Sequence, residues 1–253
     1  MKKNSTKWIA GLGVGIVLIF GLYIAVVYSA NSAPDFYQQA LQVPSSQNEI
    51  EGCLFERHLA GLSNQLQTNG PWSVVWTSAQ INGWLASDLL EKFPDALPDS
   101  IIEPRVAIND SDMRIAFRYD SVVFDGIIEI QGDVFATEIE NQIALRIHRV
   151  HSGIFPVPIS WWAEHLEASL RNRDIIVEWT ELERDPVALI TLPRSFENSQ
   201  GARIILDGVQ LTKQLIGIVG RTEQDAFQSA AEGVGSAESV QRLGGTSQDS
   251  RLK

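Results

Sequence analysis

Cysteine is nearly absent from this chain of 253 residues: Cys53 stands alone, so no internal disulfide is available. A domain exposed to an oxidising compartment would then be held by its apolar core. Histidine is scarce as well, with four in all, and methionine occurs twice. No G-x-S-x-G, phosphate-binding G-x-x-x-x-G-K, dinucleotide glycine pattern or C-x-x-C occurs. These absences exclude the common nucleophile, nucleotide and thiol sites that announce themselves by spacing. Basic charge is short too, with 20 Lys and Arg against 31 Asp and Glu, a net charge of −11. Such a balance disfavours nucleic acid and anionic headgroups as bulk electrostatic partners.

The remaining histidines and acids do not assemble a site by spacing. His148 and His151 form H-x-x-H within an alternating run, and residues three apart on a regular strand face opposite sides. No shared metal is expected there. Glu164 and His165 adjoin Trp162, but neighbours on a helix diverge by about 100°. Asp110 and Asp112 lack the ligand spacing and glycine of a calcium loop and read as turn residues. The expectation is no catalytic residue, no metal and no cofactor.

What is present begins with residues 8–28, WIAGLGVGIVLIFGLYIAVVY, which carry no charge. At helical rise they span about 31 Å, enough for the hydrocarbon core of a bilayer. Lys2, Lys3 and Lys7 precede the run and place that end in the cytoplasm by the positive-inside rule. A cleaved leader competes with this reading, since small residues stand at positions 30–33. Its apolar core is usually only about 7–15 residues, so a retained anchor is expected. Gly11 and Gly15 form a GxxxG pair, a weak signal for dimerisation. The rest of the chain, with all 31 acidic residues, is expected outside the cytoplasm.

Residues 30–71 read as a helical stalk. One turn starts at Pro34 and a second helix starts at Ser45/Ser46, whose Glu49 has capping spacing. Cys53, beside Ile50 and Leu54, is expected as a small buried residue on that helix. His58, with Glu56 and Arg57 beside it, is expected at the surface. Residues 72–76 (WSVVW) read as a strand, and Thr77 with Gln80 as a capping box opening a helix over 78–92. Asn82 on that helix is expected to support a neighbouring loop. Strands follow at 102–108 and 113–119, around the turn Asn109-Asp110-Ser111-Asp112, and alternation continues to Ala136. Gly126 and Gly132 on the apolar side permit a bulge. A further strand holds Ile143, Leu145 and Ile147. Two more follow, with Asp185-Pro186 read as the turn between them, and the ordered part closes with 204–211 and 215–219. From Glu223 the chain turns to Ser, Gly, Gln and Ala, the composition of a disordered tail.

The predicted fold class is therefore α+β: an N-terminal transmembrane helix, then a mostly antiparallel, curved sheet with two or more packed helices. The expected division is 1–29 stub and anchor, 30–71 stalk, 72–222 extracytoplasmic domain, and 223–253 tail.

Residues 152–166, SGIFPVPISWWAEHL, join a long strand to a helix. Gly153, Pro156 and Pro158 predict a rigid corner. Phe155, Trp161 and Trp162 would then stand where helix meets sheet, as core or as the rim of an apolar groove. With Trp84 they are the candidate ligand-binding residues. The order of elements, with T-x-x-Q-I-N-x-W-L at Thr77 to Leu85 and G-x-F-P-V-P at Gly153 to Pro158, resembles the YpmS-type bacterial membrane-anchored proteins of unknown function. More distantly it is similar to tubular lipid-binding and AsmA-like envelope proteins. The resemblance implies a curved sheet around a helix with an apolar interior, and no catalytic residues. Three functions are weighed: a non-enzymatic domain binding lipid or another apolar ligand, an envelope scaffold binding a protein partner, and a carboxylate-dependent envelope hydrolase. The first is expected.

Overall fold

The structure, a computed structural model, describes residues 32–94, 96–122, 124–160, 176–192, 199 and 201–223. The expected anchor, the tail, Trp161, Trp162 and the helix after Pro158 lie outside the described residues. Among the described residues no helix is long and apolar enough to cross a membrane.

The described chain is α+β with antiparallel pairing throughout. Helices α1 (Asp35–Leu41) and α2 (Ser45–Leu66) lead into strand β1 (Gly70–Thr77). Helices α3 (Ser78–Ser87) and α4 (Leu89–Lys92) follow, then β2 (Ile101–Ile108), β3 (Met113–Asp120), β4 (Asp125–Ala136) and β5 (Gln142–Ser152). A short β6 (Phe155–Pro156), the hairpin β7 (Ile176–Leu182) and β8 (Asp185–Thr191), and the hairpin β9 (Arg203–Thr212) and β10 (Leu215–Glu223) complete it.

One sheet was expected and two are found. The larger runs β2-β3-β4-β5-β8-β7, with β6 on the end of β5; the smaller runs β1-β10-β9. β1 pairs with the last strand, Trp72 opposite Gly220 and Trp76 opposite Ile216. That pairing joins segments about 140 residues apart, and no local pattern specifies a partner at such a distance.

Local signals are honoured where the chemistry is local. Thr77 accepts from the Gln80 amide at 3.0 Å while Gln80 accepts from the Thr77 amide at 3.1 Å, the reciprocal capping box. At the β2–β3 turn the Asn109 amide donates to the Asp112 carbonyl at 2.8 Å. The start of α2 differs from expectation: Pro44 occupies the cap and no side chain caps the helix. Cys53 is exposed, not buried. The buried position on α2 is Gly52, pressed against Gly83 of α3. A Cβ on Gly83 would meet the Asn48 carbonyl oxygen at 2.6 Å and the Gly52 nitrogen at 2.7 Å, so the helices touch backbone to backbone. Cys53, one position round the helix, faces solvent. His58 is exposed as expected, with Nδ1 3.2 Å from the Val75 carbonyl.

The β7–β8 turn is also displaced from the sequence reading. Glu183 and Arg184 form it, at φ 55° and 77°, and Asp185-Pro186 opens β8. Two left-handed residues make the hairpin turn whose twist matches its strands. Pro186 opposite Glu181 loses only one donor near the strand's start.

The segment expected as a stalk is helical and lies against the sheets. Tyr37 of α1 is 1% exposed, and Phe36 lies 4.7 Å beneath the Arg114 guanidinium of β3.

Side-chain amides close three strand edges. Gln65 of α2 donates to the Ser73 carbonyl at 3.3 Å and accepts from its amide at 3.1 Å, on the outer edge of β1. Asn82 does the same for Val106 on the outer edge of β2, at 2.8 and 2.7 Å. Its backing of a neighbour, read from sequence as a loop, is given to a strand. Asn141, buried at φ 59°, donates to Ile204 O at 3.1 Å and accepts from the Leu206 amide at 2.7 Å, on the outer edge of β9. Asn141 thereby ties the small sheet to the large one. Replacing Asn141 with glycine keeps the left-handed backbone and removes the amide. Stability should fall by about 1–3 kcal/mol, the cost of two buried backbone groups left unpaired. Alanine should cost about 1–2 kcal/mol more through its disfavoured φ. Urea unfolding of the two variants reads both amounts.

Candidate functional site

The large sheet has two unlike faces, set by alternation. On one, Phe117, Ile128, Ile147 and Val150 are buried together, and around them pack the half-buried Ile115, Ile130, Leu145 and Trp179. The members of this apolar surface come from β2, through Ile101, and from β3, β4, β5 and β7. Trp179 reaches it because β7 folds back on β8, with Trp179 opposite Ala188 and Ala188 opposite Leu145.

The corner closes one end of this face. β5 ends at Ser152, Gly153 takes φ 57°, and the chain doubles back so that Phe155 pairs with Ser152. The Val157 amide then donates to the Val150 carbonyl at 2.9 Å. Val157 and Ile159 pack on the apolar cluster. Phe155 is half-buried, and its pairing puts it on the same side of the sheet, at the margin. Ile154, at the tip, is 80% exposed.

Trp84 sits elsewhere. Its ring is 5.2 Å from Phe55 and 6.1 Å from Phe93, and Phe55 is 5.2 Å from Trp76. It belongs to an aromatic cluster between α2, α3 and β1. The structure thus separates Trp84 from Phe155, while Trp161 and Trp162 lie outside the described residues. Val157, Ile159 and Trp179 are the members of the apolar face that the site reading did not select. Their alternation was visible, but their convergence depends on the β6 and β7 pairings.

The other face is ionic. Glu129 is buried and accepts from Arg114 Nε at 2.5 Å; its second oxygen is 3.3 Å from His151 Nε2. His148 stands between two aspartates. Its Nδ1 lies 2.8 Å from Asp185 Oδ2, and its Nε2 lies 2.6 Å from Asp133 Oδ1, an ion pair without good hydrogen-bond alignment. Arg146 Nε donates to the same Asp185 oxygen at 2.8 Å. A neutral imidazole has one N–H, so only its charged form donates toward both aspartates.

The two histidines therefore share a face, against the strand-parity argument. A bulge is the reason: Gln131 pairs with Arg149 but Gly132 pairs with Ile147, leaving His148 as the extra residue. Gly132 permits it, since a Cβ there would collide with the Arg146 carbonyl. Among the described residues no group of three or more His, Cys, Asp or Glu is placed to hold a metal ion. Comparison of the chain with protein-family models, with curated proteins and with solved structures finds no match.

His148 first, then Arg146, hold the Asp185 carboxyl below its ordinary value of 3.8. A depressed carboxylate stabilises the fold above its unfolded value and loses that contribution as pH falls through the folded value. Acid unfolding of Asp185→Asn should therefore show a flatter stability curve than the parent below about pH 4. Equal slopes would mean the His148–Asp185–Arg146 contacts add nothing in solution.

Proposed function

We propose that this chain is a single-pass membrane protein, with its N-terminus in the cytoplasm and its folded domain outside. In this reading the domain binds a lipid or other apolar envelope ligand without catalysis. The observation that supports it is the apolar face of the large sheet. Its centre is buried, yet Trp179, Leu145, Val157 and Ile159 along it retain exposure. Half-exposed aromatic and branched side chains on one rigid sheet suit an acyl chain, which needs contact area and few polar partners. The uncharged run at 8–28 would hold such a domain at the bilayer surface. The resemblance to YpmS-type and tubular lipid-binding proteins points the same way. The margin residue Phe155 would then contact the ligand, with Trp161 and Trp162 as further candidates; Trp84 would serve packing. The chain's negative charge speaks against nucleic acid as a partner.

A second reading, an envelope scaffold, has one observation in its favour. On the small sheet Val75 and Val219 are each about half exposed, on the same face as Gly217. Such a flat apolar patch suits a protein partner.

Lipid extraction of the full chain purified from membranes, followed by mass spectrometry, separates the two. A stoichiometric lipid that disappears in Phe155→Ala, with unfolding unchanged, is the expected result. Purified protein without lipid, retained on a partner through Val75, would replace the first reading by the second. The topology has its own measurement: in spheroplasts treated with protease, a C-terminal tag should be lost and an N-terminal tag kept. A protected C-terminal tag would rule the orientation out.

A further inference from the structure

Three of the four sheet edges are closed by a side-chain amide, from Gln65 on β1, Asn82 on β2 and Asn141 on β9. The fourth edge is β7, and among the described residues none bonds to its outer side. An open edge pairs with strands it meets unless charge blunts it. Glu178 and Glu181 supply such charge, yet Ile176 and Leu182 beside them are 59% and 44% exposed. The two-residue turn at Glu183 and Arg184 makes Leu182–Asp185 a hydrogen-bonded pair, and such pairs alternate along an antiparallel ladder. Val177, Trp179 and Glu181 therefore turn their backbone N–H and C=O groups outward.

The strand is complementary to itself. β7 runs from Ile176 to Leu182, with Trp179 at its midpoint. Laid antiparallel against a second β7 and centred on Trp179, it sets Ile176 opposite Leu182, Val177 opposite Glu181 and Glu178 opposite Thr180. Every outward backbone group is then paired, both exposed apolar residues gain an apolar neighbour, and no carboxylate directly faces another. Other registers do worse. A shift of one residue opposes side chains from different faces. Centring on Glu178 sets that carboxylate against its own copy. Centring on Thr180 sets Trp179 against Glu181 and leaves Ile176 facing the turn at Arg184.

We infer that two copies of this chain associate by antiparallel pairing of β7 with β7, which joins their large sheets into one. The two-fold axis runs perpendicular to the sheet, so the same residues serve both copies. Trp179, on the edge strand of the apolar face, then meets its own copy, and the two apolar faces become continuous. One strand pair is a small interface. Copies anchored as proposed share one plane, which raises their effective concentration; the pairing itself does not depend on what the domain binds.

The experiment uses the full chain with Cys53→Ser, so that the exposed native thiol takes no part. Two differently tagged copies, one with Glu178→Cys and one with Thr180→Cys, are expressed together and their membranes treated with a mild oxidant. A disulfide joining the two tags is expected, because directly opposite residues stand within bridging distance. Glu178→Cys alone should give no comparable band, since its own copy lies two residues away along the strand. Glu181→Pro in both copies removes an outward N–H and no bond to β8. It should cut the cross-linked fraction about tenfold while urea unfolding stays unchanged. If that variant does not fold, Leu182→Asp at its exposed position takes its place, setting a carboxylate diagonal to Glu178 of the other copy. No disulfide between the tags, an equal band from Glu178→Cys alone, or no loss in the edge variant overturns the pairing. A dimer seen by size without that disulfide, as association of anchors through Gly11 and Gly15 would give, overturns it too. Protease accessibility of the tags in the same membranes reads the anchoring separately.

Discussion

Unpaired strand edges are the constraint on which this architecture depends. Two sheets of moderate size leave four edges, and each edge is a row of backbone donors and acceptors that must find partners. Here three edges are met by a side-chain amide that presents both a donor and an acceptor to a strand: Gln65 at β1, Asn82 at β2 and Asn141 at β9. An amide imitates a peptide group, so it continues the ladder by one rung without adding a strand. The consequence is positional. α2 is fixed along β1, α3 along β2, and the β4–β5 turn along β9.

The same economy joins the two sheets. Gln214, in the β9–β10 turn at φ 66°, donates to the Ile108 carbonyl at 2.9 Å, and its own carbonyl accepts from the Ser78 amide at 2.9 Å. Asp110 accepts from the Lys213 amide at 2.9 Å beside it. The small sheet therefore abuts the end of β2 through backbone bonds, and α3 starts at that junction. Gly83 on α3 then sets how closely α2 approaches. Helix, edge and turn depend on one another within a few residues.

The large sheet divides its work between its faces. Alternation along β3, β4 and β5 sends Phe117, Ile128 and Ile147 one way and Arg114, Glu129 and Asp133 the other. The apolar face is finished at its end by the doubled-back corner at Gly153. The ionic face is finished by α1, whose Phe36 lies under Arg114 and whose Tyr37 is buried near Arg105. The β5 bulge enriches that ionic face by turning His148 onto it.

Sequence alone determined what is decided within a few residues. The Thr77–Gln80 box, the Asn109–Asp112 turn, the period of two through β4 and the permissive Gly132 all rest on local hydrogen bonding or sterics, and each appears in place. The charge balance and the uncharged run at 8–28 are likewise properties of the chain itself. Only the tertiary structure decided that β1 joins β10, that Asn82 and Asn141 serve strand edges, and that Trp84 and Phe155 stand apart. It also decided that His148 shares a face with His151. One inserted residue inverts strand parity, and an alternating pattern read along a single strand carries no mark of it. Pairings between distant segments depend on which surfaces meet after collapse, and the burial of Arg105 beneath a helix nearly seventy positions away follows from the same fact.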